Sequence, residues 1–217
     1  MRFSKILSRR AFLGGVSGLS VLGTFLQRKL LYGGRFEGKN FDGRMIDRYP
    51  AFDDERSKKV IFVAHCLINQ NARCNGSAET PASIRGIPEY LLKNRIGIAQ
   101  MPCPELSSLG LGREGLIYDQ LSTPGSRRHL KLIAQDIAYQ ITQYRKHGFK
   151  VLAVLGINCS PSCGVDCHAY NGRKPGKGAF IEELTEEFAN AGLEIPLIGV
   201  ADAEPEKALA EIKALDK

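Results

Sequence analysis

The chain has 217 residues, 43% hydrophobic and 24% charged, enough for one domain with its own core and too apolar for a disordered chain. Its net charge of +7 is local: residues 1–60 carry 13 Lys and Arg against 6 Asp and Glu, and residues 61–217 carry 17 of each. A nucleic-acid-binding domain needs a basic stripe on its folded body, so that class is set aside.

Residues 1–26 read as an export signal. Arg2, Lys5, Arg9 and Arg10 form a basic start, and an uncharged run of 16 residues follows from Ala11 to Leu26. That run is short for a membrane span of about 20 residues and suits a signal-peptide core. Within it, Ser8-Arg9-Arg10-Ala11-Phe12-Leu13 resembles the bacterial twin-arginine consensus. The resemblance implies the twin-arginine export machinery as a partner, and the periplasm or the outer face of the cytoplasmic membrane as destination. Gln27, Arg28 and Lys29 stand where a small-residue cleavage site would be expected, so residues 11–26 also read as an uncleaved membrane anchor. Six cysteines at an oxidising destination favour disulfides. Export of folded proteins shifts that expectation towards a metal centre assembled beforehand.

Residues 27–57, with Gly33, Gly34, Gly38 and Gly43 among many charges, read as a linker or loosely packed arm. The domain proper is expected over residues 58–217. "KKVIFVAHCL" is an apolar run ending in polar residues, a buried strand; "SIRGIPEYLLKNR" carries Ile84, Ile87, Tyr90 and Leu91 at helical spacing. "IGIAQMPCPE" is a second strand stopped by Pro102 and Pro104. In "SRRHLKLIAQDIAYQITQYRKHG", Leu130, Ile133, Ile137, Ile141 and Tyr144 share one helix face, and Gly148 ends it. "KVLAVLGINCS" is a third strand, "GAFIEELTEEFANAG" a helix, "IPLIGVADA" a fourth strand, and "PEKALAEIKALDK" a closing helix with Pro205 in its first turn. Apolar strands alternating with helices predict an α/β fold: a doubly wound, mostly parallel sheet of about four strands in the order 2-1-3-4, Rossmann- or flavodoxin-like, with helices on both faces.

Such sheets bind ligands beyond the carboxyl ends of their strands. Cys66, Cys103 and Cys163 each fall at or just past a predicted strand end, so the fold should bring them together. The densest cysteine segment, "NCSPSCGVDC", has Cys159, Cys163 and Cys167 at Cys-x3-Cys-x3-Cys spacing. That spacing fits neither the paired Cys-x2-Cys of structural zinc sites nor the cluster loop of radical enzymes. Of this stretch, Cys163 lies just beyond the third strand. Cys159 reads as the last residue of the third strand, and Cys74 or Cys167 as a fourth ligand, a sulfur acceptor or neither. "GRKPGKG" (172–178) lacks the spacing of a phosphate loop and reads as the start of the helix at Ala179.

Three segments, "HCLINQNARCNG" (65–76), "PCPE" (102–105) and "SPSCG" (160–164), resemble in order and spacing the signatures of the 2-thiouracil desulfidase (desulfurase) family. The resemblance covers residues 58 to about 168. It implies a 4Fe–4S cluster held by Cys66, Cys103 and Cys163, one iron without a protein ligand, a thiocarbonyl small molecule as substrate, and acid/base roles for Glu105 and Ser160. The chain departs from the family where "LSSLGLGREG" follows Glu105, with Arg113 standing in for a family arginine, and at Arg73-Cys74-Asn75-Gly76. Two other classes stay open. One is a non-catalytic iron–sulfur protein, transferring electrons or sensing redox state, with a fourth ligand from Cys74 or Cys167. The other is a disulfide- or zinc-stabilised periplasmic binding protein.

Overall fold

The computed structural model describes Phe52 and residues 54–217. The export signal read at residues 1–26, with its anchor at 11–26, and residues 27–51 and 53 of the arm lie outside the described residues. In chain order the elements are β1 (Lys59–Val63), α1 (His65–Ile68), a 3₁₀ turn (Gln70–Ala72), α2 (Ile87–Lys93), β2 (Gly97–Gln100), α3 (Pro104–Leu109), α4 (Tyr118–Leu121) and α5 (Pro124–Lys146). They continue as β3 (Lys150–Ile157), β4 (Cys167–Tyr170), β5 (Gly172–Pro175), α6 (Ala179–Asn190), β6 (Leu197–Val200) and α7 (Pro205–Leu215).

Four strands form one parallel sheet in the order β2-β1-β3-β6, the predicted 2-1-3-4. Parallel neighbours need crossovers, and here helices supply them. On one face α5 packs on α6 and on β3; α7 covers β3 and β6, and α2 packs on α7 and β2. Ile61, Phe62 and Val63 in β1, and Ala153, Val154 and Leu155 in β3, are wholly buried, as expected for strands covered on both faces.

The long helix has the predicted inner face. Leu130, Ile137 and Ile141 are buried beside Ala134 and Ala138, while Ile133 and Tyr144 are partly buried against the core. It starts at Pro124 because Thr123 caps it, its Oγ1 accepting from the backbone N–H of Ser126 at 3.3 Å. Gly148 ends it with a left-handed φ of 78°.

Two expectations are corrected. Strand β3 ends at Ile157, so Cys159 lies outside it, in a turn with a φ of 63° that no strand residue adopts. The segment before α6 is also more than a helix approach: β4 and β5 form an antiparallel hairpin pairing His168 with Lys174. The ring of Tyr118 in α4 lies 4.5 Å from that of His168, centre to centre, and holds the hairpin to the domain. Helix α6 itself begins at Ala179 as read. Among the described residues, no helix is long and apolar enough to cross a membrane.

Candidate metal centre

The loops beyond the carboxyl ends of the parallel strands enclose a cavity of about 750 Å³. Cys66, Cys103 and Cys163 all line it, together with Glu105, Arg113 and Ser160. Each cysteine sits slightly past the strand that precedes it. Cys66 is the second residue of α1. Cys103 is the N-cap of α3, and its Sγ accepts from the backbone N–H of Leu106 at 3.4 Å. Pro104 then takes the first helical position and Glu105 the first turn, where a missing N–H costs nothing and negative charge is favoured. The segment Cys-Pro-Glu is thus a helix start that aims a thiol and a carboxylate into one space.

Cys163 hangs from a loop shaped by its own backbone. The Ile157 N–H donates to the Cys163 carbonyl at 2.9 Å, and Gly164 N–H to the Ser160 carbonyl at 3.1 Å. Asn158 Oδ1 accepts from the N–H groups of Val165 and Asp166. Beneath this loop, Gly156 of β3 pairs in register with Gly199 of β6. A Cβ on Gly156 would run into the Cys163 carbonyl, and one on Gly199 into the Asn158 and Asp166 side chains. The two glycines make a bare patch on which the loop lies.

The electrostatics favour protonated thiols. Burial pushes the Cys66 thiol up to about 11, against the opposing charge of Arg73. Cys103 is raised by burial, with the Leu106 N–H acting the other way. Cys163 is held well above the ordinary range by burial and by the neighbouring Cys66 and Cys103. Arg73 and Arg113 act against burial at Cys66 and Cys103 without overcoming it, whereas bound metal would offset the negative charge of all three thiolates directly. Among the described residues, no three His, Cys, Asp or Glu side chains form a group able to hold a metal ion. A trio of thiols set around a roomy cavity suits a body larger than one ion.

Beside the thiols runs a chain of polar groups. Ser162 Oγ donates to Glu105 Oε1 at 2.7 Å and lies 3.5 Å from Cys163 Sγ. Ser160 Oγ is 3.2 Å from Ser162 Oγ and accepts the backbone N–H of Cys163 at 3.0 Å. Arg113 reaches Glu105 Oε2 at 3.4 Å, the Ala72 carbonyl at 2.9 Å and Cys103 Sγ at 3.8 Å. Glu105, Arg113 and Ser162 are all buried, and a buried ion pair survives only with such added hydrogen bonds. His65, also on the cavity wall, has its pKa lowered by burial and by Arg113.

The predicted site residues therefore share one cavity, with Ser160 reaching Glu105 through Ser162. Sequence reading missed Ser162, the residue that touches both Glu105 and Cys163. It also missed the two-bond pairing of Arg73 with Asp202, at 2.8 and 2.9 Å, which joins the loop after β1 to the loop after β6. Cys74 lies in the same cavity, 3.3 Å from Ser77 Oγ. Cys159 is on the cavity wall, with its Sγ 2.7 Å from that of Cys167.

No family model matches the chain. Among solved structures, a 4Fe–4S-dependent thiouracil desulfidase, TudS, is similar at 22% identity, with a TM-score of 0.44, covering 70% of this chain and 97% of that one. The uncharacterized protein MJ0003 of Methanocaldococcus jannaschii is 30% identical over 143 residues, 66% of this chain and 86% of the archaeal protein. At that identity and coverage, this chain belongs to the same family as the archaeal protein MJ0003.

Proposed function

We propose that this chain is an iron–sulfur desulfidase that removes sulfur from the thiocarbonyl of a small, thiouracil-like molecule. The observation that carries the reading is the meeting of Cys66, Cys103 and Cys163, from three loops, around one cavity beside a buried carboxylate. These three thiolates would hold a 4Fe–4S cluster. Such a cluster with three protein ligands supplies a thiophilic Lewis acid, an iron with an open position.

The chain's own residues supply the rest. In the net reaction C=S and water become C=O and hydrogen sulfide, with no change of oxidation state. Water must lose protons, and the departing sulfur must gain them. Glu105, paired with Arg113 and bonded to Ser162, is the group placed to accept a proton at Oε1. Ser162 and Ser160 extend that path along the loop. Ile157 and Leu116 add apolar surface to the cavity, and charges beside such surface interact more strongly than in water.

An exported location belongs to the same proposal. Arg9 and Arg10 motivate it, and replacing both with Lys should leave the protein in the cytoplasm; normal export of that variant would remove the twin-arginine reading. Residues 1–26 then serve as signal or anchor, residues 27–57 as the arm, and residues 58–217 as the catalytic domain.

The direct test is anaerobic purification followed by metal analysis and assay. The expected result is about four iron and four acid-labile sulfide per chain, with conversion of 2-thiouracil or 4-thiouracil to uracil and sulfide. Zinc in place of iron, or a colourless protein inert towards both compounds, would overturn the proposal.

A further inference from the structure

Cys159 and Cys167 stand apart from the three thiols assigned to the cluster. Their sulfurs are 2.7 Å apart, closer than two unbonded sulfur atoms ordinarily rest. The backbone draws them together: Cys159 N–H donates to the Cys167 carbonyl at 2.8 Å. Cys159 reaches this position only in the left-handed region, at a φ of 63°, where a residue with a Cβ is strained. Such strain marks a place where the surrounding fold dictates conformation. Both residues are partly exposed, and Cys159 lines the cavity. Arg173 of β5 is near enough to favour a thiolate at Cys159, against burial and the Cys167 thiol, which hold it protonated.

We infer that Cys159 and Cys167 form a reversible dithiol–disulfide pair in the wall of the cavity, a modification site for disulfide-class oxidants such as glutathione disulfide. In the first step one cysteine, as thiolate, attacks the incoming disulfide and expels one thiolate, leaving a mixed disulfide. The second cysteine attacks that bond, the protein S–S bond forms, and the second thiolate leaves. The protein loses two electrons and two protons; the incoming disulfide gains them and departs as two thiols. The new bond closes a ring around Ser160, Ser162 and Cys163, so the oxidised pair staples the loop that bears one cluster ligand. That consequence rests on the proposed function; the pair itself does not.

The test uses the full chain, equilibrated anaerobically in glutathione buffers of graded redox state, quenched in acid, unfolded and alkylated. Cleavage before Asp166 separates Cys167 from a peptide carrying both Cys159 and Cys163. The expected result is the loss of two alkylatable thiols per chain, with the two peptides linked, Cys163 carrying the alkyl group, and full reversal by dithiothreitol. In the Cys159→Ser variant Cys167 should instead take up one glutathione. Alkylation of both Cys159 and Cys167 across the whole series, or linkage of Cys167 to Cys163 or Cys74, would overturn the inference. The readout is a mass and needs no iron. A linked chain without iron therefore defeats the proposed function alone, and an iron-loaded chain that never links defeats this inference alone.

Discussion

The two ends of the parallel sheet are built on opposite principles. At the amino ends, stability comes from rings and exposed charges. Tyr144 lies edge-on to Phe149 at 5.3 Å, and Phe52 meets Phe149 at 5.6 Å. Lys59 and Lys150, at the first positions of β1 and β3, reach Asp216 and the Leu215 carbonyl, both at 2.7 Å. At the carboxyl ends the loops bury what a core normally rejects. Gln70, Glu105, Arg113, Ser162 and His168 make up the buried polar and charged residues among those described, and each follows the end of β1, β2 or β3. Burying such groups costs free energy unless every one is bonded. The amino end offsets that cost and the carboxyl end uses it.

If this division holds, mutations at the two ends should fail in different ways. The largest effect is expected from Cys66→Ser, Cys103→Ser and Cys163→Ser. Each should lose nearly all iron per chain while far-ultraviolet circular dichroism stays close to that of the parent. Cys74→Ser and Cys167→Ser should keep most of it. Retention of iron in all three ligand variants would end the contrast between the two ends.

Next in size is Glu105→Gln, expected to keep its iron and lose about 10²–10⁴-fold in kcat, the usual worth of a positioned proton acceptor. Ser162→Ala should fall in the same direction by less, since it removes one bond to a carboxylate still held by Arg113. Ser160→Ala should keep its iron and lower kcat by less again, since Ser160 meets Glu105 only through Ser162. Equal kcat in all three and the parent would place the proton path elsewhere.

On the amino side, Phe149→Ala should destabilise the fold by about 0.5–3 kcal/mol, read by anaerobic urea unfolding, with iron per folded chain unchanged. The smallest effect belongs to Lys59→Met, since the Lys59–Asp216 pair is partly exposed and such pairs contribute about 0–1 kcal/mol. A large loss of iron in either variant would show that the two ends are not separable.

How much of this was legible in the sequence follows from what each signal encodes. The central strands β1 and β3 are continuous apolar runs, and burial on both faces writes itself into composition; the edge strands β2 and β6 are shorter and less buried, and the order 2-1-3-4 followed from the alternation of all four with helices. The convergence of Cys66, Cys103 and Cys163 followed from the sheet. The hairpin of β4 and β5 was not legible, because "CHAYNGRKP" has little apolar alternation. Its support comes from Tyr118, some fifty residues earlier in the chain. Ser162 was invisible for a different reason. A serine between proline and cysteine reads as a loop residue, and only the course of the backbone reveals that it is buried against Glu105. The pairing of Arg113 with Glu105 spans an irregular loop, where no periodicity announces it.

The paired glycines under the Cys163 loop have a consequence for heredity and for design. Gly156 and Gly199 carry no reactive group, yet the loop can lie on the sheet only while both remain bare. A library of random variants screened for lost activity should therefore return these two codons alongside the cysteine codons. Its glycine hits should contain folded protein with a displaced loop, or no folded protein at all. Transplanting "NCSPSCGVD" onto another parallel sheet would fail for the same reason unless two neighbouring strands of the recipient were given glycine at the matching height. The unit that evolution can move is the loop together with its floor.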